Sequence, residues 1–244
     1  MKKSSKFRFK RFEVNHDRSA LKVGVDGVLI GCWADAACAR SILDVGTGCG
    51  LISLIMAQRF PEAMVTGIDI HEPSVQEAGE NVAESPWADR IKILRRSYDE
   101  DFVSGQPRRQ FDFVISNPPF FDSGLSEVTT PREMARHQSG LSPSSILRLS
   151  PGILRDHGQV AMIVPLEISA ALEAEASALG YTLRRKCLVR GHAQAPWKRV
   201  LLQWRLGRGE CGAALQEQSL TLETTPMNPT EEYRELCRDF YLKF

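Results

Sequence analysis

"LDVGTGCGL", residues 43 to 51, ends a run of strand-forming residues with three glycines and then begins a helical pattern. The glycines are Gly46, Gly48 and Gly50. They would let the backbone pass close to a ligand, where any Cβ would collide. Asp44 precedes them on the strand, and Asp69 and Ile70 end the next strand. This order predicts a nucleotide-like cofactor whose ribose hydroxyls both bind Asp69.

Short β-branched runs alternate with longer helical patterns on both sides of this stretch, which indicates βαβ units and a parallel sheet. We predict strands near 41–46, 64–70, 90–95, 111–116 and 159–164, and helices near 50–59, 73–84, 143–155, 168–179 and 229–238. After Gly180, two strand-like runs joined by a loop predict an antiparallel pair that closes the sheet. The expected fold is a Rossmann-like α/β domain, with a mostly parallel seven-stranded sheet and helices on both faces.

Composition narrows the protein class. The chain has 244 residues, 43% of them hydrophobic and 25% charged, which suits one large domain. No stretch approaches the roughly 20 apolar residues of a membrane helix, and the N-terminus lacks the apolar segment of a secretory signal, so we expect a cytoplasmic protein. The six cysteines never approach CxxC spacing, so neither a disulfide framework nor a zinc site is expected, and we predict no metal.

Positive charge is concentrated at the N-terminus. The whole chain has a net charge of +1, but residues 1–22 alone have a balance of +6. We therefore predict a basic N-terminal extension over 1–22 and a single domain over 23–244. Phenylalanines at positions 7, 9 and 12 are interleaved with the cations, which suits a segment that meets phosphates and stacks on bases. The alternative is a solvated terminus that aids solubility.

A second basic stretch, residues 184–199, has six cations and no acid. It also contains His192 and Trp197, which favours contact with nucleic acid over simple solvation. Both stretches would bind a nucleic acid backbone electrostatically and carry little sequence information. The candidate contacts are Lys10, Arg11, Lys198 and Arg199.

The spacing GxGxG differs from the GxGxxG of dinucleotide folds. A pyrophosphate gains nothing from a carboxylate such as Asp44 in the same turn, whereas S-adenosylmethionine has no phosphate and carries a sulfonium and an ammonium group. From about residue 20 to 206, the chain resembles the class I S-adenosylmethionine-dependent methyltransferases. Related proteins commonly have an acid after the third strand that meets the cofactor adenine. This chain has Ser97 and Tyr98 there, then Asp99, so that contact stays open.

"ISNPPFFDSG", residues 115 to 124, follows the fourth strand. It resembles the (N/D)PP(Y/F) motif of methyltransferases that modify a planar amide or an exocyclic amine. The side-chain oxygen of Asn117 and the carbonyl of Pro118 can each accept one N–H of the amine, while Pro118 and Pro119 limit the freedom of the turn. Phe120 would stack on a flipped-out base. Alternatively, NPP is a strand-ending turn whose following phenylalanines lie in the core.

Five segments together are similar to the tRNA(Val) adenine-N6 methyltransferase family, which modifies the adenine next to the anticodon. They are residues 16–34, 80–91, 117–124, 132–141 and 233–244. The resemblance implies that Lys22, Asp26 and Gly27 contribute to the methionine end of the cofactor pocket. The family usually has threonine where this chain has Val25.

Recognition of the RNA would involve Arg132 and Arg136, whose i, i+4 spacing puts both guanidinium groups on one helix face, together with His137. A solvated helix face is the alternative for the arginines, and a structural role is the alternative for the histidine. These motifs leave four other functions open. They are a guanine-N2 methyltransferase of ribosomal RNA, a protein-glutamine methyltransferase, a dinucleotide-dependent oxidoreductase and a non-catalytic RNA binder.

Overall fold

Strands and helices alternate along the part of the chain that the computed structural model describes, namely residues 6–19, 22–105, 110–119, 141–207 and 214–244. The strands are β1 Lys6–Arg8, β2 Glu13–Asn15, β3 Ser41–Val45, β4 Met64–Asp69, β5 Ile91–Arg95, β6 Phe111–Ser116, β7 Leu154–Pro165, β8 Tyr181–His192, β9 Arg199–Leu206, β10 Gln216–Thr225 and β11 Asn228–Pro229. The α-helices are α1 Val25–Trp33, α2 Leu51–Arg59, α3 Glu72–Ala83, α4 Glu100–Ser104, α5 Pro143–Leu149, α6 Ser169–Ala178 and α7 Glu231–Cys237.

The main sheet has nine strands in the order β11-β10-β8-β9-β7-β6-β3-β4-β5. Strands β3 to β7 are parallel to one another, and β9 lies antiparallel between β7 and β8. The predicted mostly parallel sheet with an antiparallel C-terminal pair is confirmed. Beyond the seven predicted strands, β10 pairs with β8 and β11 pairs with β10. Strand β10 escaped prediction because Leu220 is its one buried residue, so its hydrophobic pattern is weak.

Both faces of the sheet are covered, as the buried run in β3 requires. Successive strand residues point to opposite faces. Ile42 accordingly belongs to a hydrophobic cluster that includes residues of α1 and α2. Leu43 and Val45 belong to a second cluster that includes residues of α5 and α6. The prediction of helices on both faces is therefore confirmed.

The helices depart from the predictions at three places, one of which is the short helix α4, which was not predicted. The helix expected over 143–155 ends at Leu149, and a 3₁₀ turn over Ser150–Gly152 leads into β7. Pro151 lacks the N–H that a continuing helix would use, which explains the early end. Helix α1 was not predicted, because seven of its nine residues are buried and no polar face marks its period.

The N-terminal segment forms a hairpin from β1 and β2 that packs against the C-terminal residues. Phe9 forms a β-bridge with Tyr241, and the Lys10 N–H donates to the Phe240 carbonyl over 2.8 Å. Phe9 and Phe12 are 4% and 5% exposed, with ring centroids 4.6 Å apart. The expectation that these two rings stack on nucleic acid bases is wrong, because they are part of the protein core.

Candidate active site

The carboxyl ends of the parallel strands share one edge of the sheet, where α/β proteins bind ligands. The loop after β3 contains the three glycines, Asp69 is the last residue of β4, and Asn117 directly follows β6. Strand order places β3 between β4 and β6. These three predicted site segments are therefore neighbours along that edge.

The backbone of the glycine loop has a conformation that few residues other than glycine could adopt. Gly46, Gly48 and Gly50 have φ values of 72°, 56° and 84°, in the left-handed region that favours glycine. The Gly48 N–H donates to Asp69 Oδ2 over 3.0 Å, and the His71 N–H donates to Asp69 Oδ1 over 2.9 Å. The carboxylate of Asp69 thus fixes the middle of the loop to the end of β4.

Asp44 lies beneath the loop and is fully buried. Its Oδ2 accepts hydrogen bonds from Thr47 Oγ1 over 2.6 Å and from Ser53 Oγ over 2.7 Å. Its Oδ1 has no hydrogen-bond partner among the described residues. Burial raises the pKa of Asp44 to about 6, although both hydroxyl bonds oppose this shift. The structure therefore uses Asp44 to hold the glycine loop onto the start of α2.

A cavity of about 320 Å³ opens at this edge of the sheet. Its lining residues are Lys22, Gly24, Val25, Asp26, Gly27, Gly46, Thr47, Gly48, Cys49, Leu51, Ile52 and Asn117. The structure thus joins two glycines of the loop, the wall segment 22–27 at the start of α1, and Asn117. Gly50 is absent from the lining, because an added Cβ there would lie 3.3 Å from Cβ of Ala78 in α3.

The NPP turn is tied to the glycine loop by its preceding residue. Ser116 is fully buried and pairs with Val45 in the sheet, and its hydroxyl donates to the Val45 carbonyl over 2.7 Å. Asn117 therefore follows β6 where Gly46 follows β3. Pro118 is buried, and Pro119 is half-buried. Phe120, which is predicted to stack on the base, lies outside the described residues.

Comparison with known proteins assigns the chain to a family. Residues 27–162 match the methyltransferase small domain family. The chain belongs to that family. It is an S-adenosylmethionine-dependent methyltransferase, which confirms the cofactor predicted from the glycine loop.

Relatives of this methyltransferase align over nearly the whole chain. The tRNA1(Val) (adenine(37)-N6)-methyltransferase of Trichodesmium erythraeum is 38% identical over 98% of this chain and 99% of its own length. The protein of the same name from Bacteroides thetaiotaomicron is 37% identical over 97% of both chains. A solved structure of a predicted O-methyltransferase from Agrobacterium tumefaciens shares the fold with a TM-score of 0.65 and 21% identity, covering 88% of this chain and 96% of that one.

The residues after the third parallel strand of the methyltransferase have separate roles. Tyr98 is 4% exposed, its hydroxyl is 2.8 Å from Ser150 Oγ, and burial raises its pKa well above the ordinary range. Asp99 is exposed and accepts from the Phe102 N–H over 2.8 Å at the start of α4, a bond that lowers the pKa of Asp99. Ser97 is half-buried. The core thus uses the Tyr98 side chain, while the side chains of Ser97 and Asp99 hydrogen-bond to each other at the start of α4.

The turn between β8 and β9 lies at the same edge as the cavity. Arg199 starts β9 and pairs with Pro165 at the carboxyl end of β7. Its Nε is 3.1 Å from Oδ2 of Asp26, which lines the cavity. Lys198 is exposed. The structure therefore brings these two predicted RNA contacts to the methyltransferase cavity.

Lys10 and Arg11 lie elsewhere. They border a surface hollow with Arg59 at the C-terminal end of α2, and the Lys10 ammonium donates to the Phe244 carbonyl over 2.9 Å. Helix α2 leaves the cavity edge and returns the chain to the start of β4, so its C-terminal end is at the opposite edge. The structure does not bring Lys10 and Arg11 to the cavity.

Arg132, Arg136 and His137 lie outside the described residues. Ile70 is half-buried beside Asp69. Among the described residues, no group of three or more histidine, cysteine, aspartate or glutamate side chains is placed to hold a metal ion. No helix in the same residues is long and apolar enough to cross a membrane.

Proposed function

We propose that this methyltransferase transfers a methyl group from S-adenosylmethionine to the exocyclic N6 amine of an adenine in tRNA, at adenine 37 next to the anticodon of a tRNA(Val). One observation carries the proposal: Asn117, at the head of the NPP turn, lines the same cavity as Gly46 and Gly48. The names of the full-length relatives support this choice of RNA and base.

The lining of the cavity fits S-adenosylmethionine. Its wall offers both Lys22 and Asp26, while the methionine end of the cofactor carries both a carboxylate and an ammonium group. An added Cβ at Gly48 would meet no atom within 4 Å, so the loop leaves open space beside its backbone. When bound, the cofactor supplies an electrophilic methyl group on its sulfonium.

The cofactor-binding roles follow from these positions. Gly48 permits close approach of the ligand to the backbone, and Gly50 permits the sharp entry into α2. Gly46 and Gly27 also line the cavity, but a Cβ added at either would lie 3.2 Å from a side chain of the protein, Leu141 or Leu51. Asp69 would accept the ribose hydroxyls, with Ile70 beside it. Asp44 acts beneath the loop and holds it in shape through Thr47 and Ser53.

The NPP turn would hold the amine of the base. The Asn117 side-chain oxygen and the Pro118 carbonyl are acceptors for the two N–H groups of an exocyclic amine, which favours a more tetrahedral nitrogen. Neither Pro118 nor Pro119 has an N–H that would compete for these acceptors. Catalysis then rests on orientation of the nitrogen, with the extra proton leaving after transfer. Phe120 would stack on the base.

The RNA backbone would contact Lys198 and Arg199 at the cavity edge, and Arg132, Arg136 and His137 beyond the NPP turn. Such contacts act through charge and weaken as salt rises. We assign Lys10 and Arg11 no part in holding the anticodon arm at the cavity, because they lie at the opposite edge of the sheet.

The proposal is tested by methyl transfer from labelled S-adenosylmethionine to total tRNA and to ribosomal RNA, both from a strain that lacks this protein. Nucleoside analysis should find the label as N6-methyladenosine in tRNA, and a tRNA(Val) transcript with guanine at position 37 should accept none. Label in N2-methylguanosine of ribosomal RNA would refute the proposed substrate. Label in protein alone would refute an RNA substrate altogether.

A further inference from the structure

A buried acid on α3 binds backbone outside its own helix. Glu77 is 1% exposed, and its carboxylate accepts three consecutive backbone N–H groups. These are the N–H groups of Asp17, Arg18 and Ser19, at 2.8, 3.0 and 2.8 Å. Hydrogen bonds to an ionised carboxylate are stronger than neutral ones, and consecutive amides form a natural anion-binding concavity. Glu77 therefore fixes the backbone of residues 17–19 to α3.

Asn81 lies one helical turn after Glu77 and is also 1% exposed. Its Oδ1 accepts from the Asn15 N–H over 2.9 Å, and its Nδ2 donates to the Asn15 carbonyl over 2.8 Å. The same Nδ2 donates to the Cys49 carbonyl over 2.9 Å. Because Cys49 belongs to the glycine loop and lines the cavity, Asn81 connects the N-terminal segment with that loop.

The segment held by α3 also contacts the opposite part of the cavity wall. The ring Nδ1 of His16 accepts from the Val23 N–H over 3.2 Å. Val23 lies between Lys22 and Gly24, and both of these residues line the cavity. Two walls of one cavity, the glycine loop and segment 22–27, are thus both connected to a single face of α3.

We propose that Glu77 and Asn81 are positioning residues for the cofactor, which set the glycine loop and wall segment 22–27 at the separation that S-adenosylmethionine requires. Neither residue lines the cavity, so they act through the backbone groups that they bind. This inference rests on the proposed function of the cavity. A purely structural role would lower stability and leave the affinity of the folded protein unchanged.

The test compares two acids on the same helix by calorimetric titration with S-adenosylhomocysteine. Glu77→Gln loses one acceptor oxygen and places an amide against the backbone N–H groups, so we expect the dissociation constant to rise about tenfold. Glu80→Gln is the matched control. Glu80 pairs with the Arg18 side chain and is 56% exposed, so its loss should change affinity by less than about twofold.

Two further measurements separate positioning from folding. Hydrogen exchange at the amides of residues 17–19 should quicken in Glu77→Gln while the amides of β3 and β6 stay protected. His16→Ala leaves Glu77 and its amides in place and removes the bond to Val23, so it should also weaken binding severalfold. If exchange quickens at 17–19 while both variants bind like the wild type, the inference is wrong. Failure of the wild-type protein to bind would instead refute the proposed cofactor site.

Discussion

Two basic regions, residues 1–22 and 184–199, look alike in sequence and differ in the structure. Each mixes cations with aromatic residues. In the first, Phe9 and Phe12 are buried, and Lys10 binds the C-terminal backbone at the edge away from the cavity. In the second, Lys198 and Arg199 lie beside the cavity. The position of a region relative to the cavity edge, and not the number of its charges, decides which region can meet a substrate held in the cavity.

The second region is itself divided by the direction of β8. Arg184 and Arg185 lie near the start of this strand, while Arg190 is near its end. Arg185 stacks on Trp33, 4.4 Å from the ring centroid, and donates to the Trp33 carbonyl. Its cation is therefore used in packing α1 against the sheet. A run of six cations contributes only its last members to the cavity edge.

The largest difference in activity between variants at the two edges is expected from substitution of Asn117 and of Arg11. Asn117→Ala removes an acceptor for the amine and should lower kcat by about 10²–10³-fold, while binding of S-adenosylhomocysteine stays nearly unchanged. Arg11→Ala should leave both quantities unchanged. Single-turnover methyl transfer and calorimetry measure the two effects. Loss of cofactor binding in Asn117→Ala would contradict the role given to its side chain.

A buried acid at the cavity edge gives a second contrast, in the dependence of its effect on pH. Asp44 at the cavity edge has its pKa raised to about 6 by burial, so the folded state binds a proton that the unfolded state releases. Stability is therefore highest below the ordinary pKa and falls as pH rises towards about 6. The loss amounts to at most about 3 kcal/mol. Asp44→Asn keeps an acceptor for Thr47 and Ser53 and should remove this loss.

Urea unfolding between pH 4 and 7 measures the effect of Asp44, as the difference between wild type and Asp44→Asn at each pH. The comparison acid is Asp112 at the opposite edge, whose carboxylate accepts from the Arg40 and Ser41 N–H groups and pairs with Arg155. A difference for Asp44→Asn that does not vary with pH would show that the buried carboxylate is equally charged in both states.

One aspartate at each of the two edges gives a matched pair of variants for measuring cofactor affinity. Asp69→Ala should weaken S-adenosylhomocysteine binding by roughly 1.5–3 kcal/mol, because the ribose contact and the bond from the Gly48 N–H are both lost. Asp112→Ala also removes a carboxylate that binds backbone, but at the opposite edge. It should lower stability and leave affinity unchanged. Equal affinities for the two variants would remove Asp69 from the site.

Sequence predicted the cavity edge because the carboxyl ends of parallel strands must meet there, so the glycine loop, Asp69 and Asn117 could be placed together without coordinates. Glu77 could not be found this way. It lies among exposed acids such as Glu72 and Glu80 on α3, and nothing local distinguishes it. Its burial depends on a segment 58 to 60 residues earlier in the chain. Contacts of that kind are tertiary, and a pattern of charges does not encode them.

The smallest and most direct test changes one lysine in each basic region. Lys198→Ala should weaken tRNA binding a few-fold and reduce the slope of log K against log salt by about 0.9, as expected for the loss of one phosphate contact. Lys10→Ala removes the bond to the Phe244 carbonyl. It should lower the thermal midpoint by a few degrees and leave tRNA binding and its salt dependence unchanged.

Filter binding of a tRNA(Val) transcript at several salt concentrations, with thermal unfolding of each variant, measures both lysines together. If Lys10→Ala reduced the salt slope as much as Lys198→Ala, the tRNA would have to span both edges of the sheet. The distinction between the regions would then fail, and the N-terminal cations would act in binding as well as in folding. If only Lys198→Ala alters the slope, the position of a cation relative to strand direction determines its role.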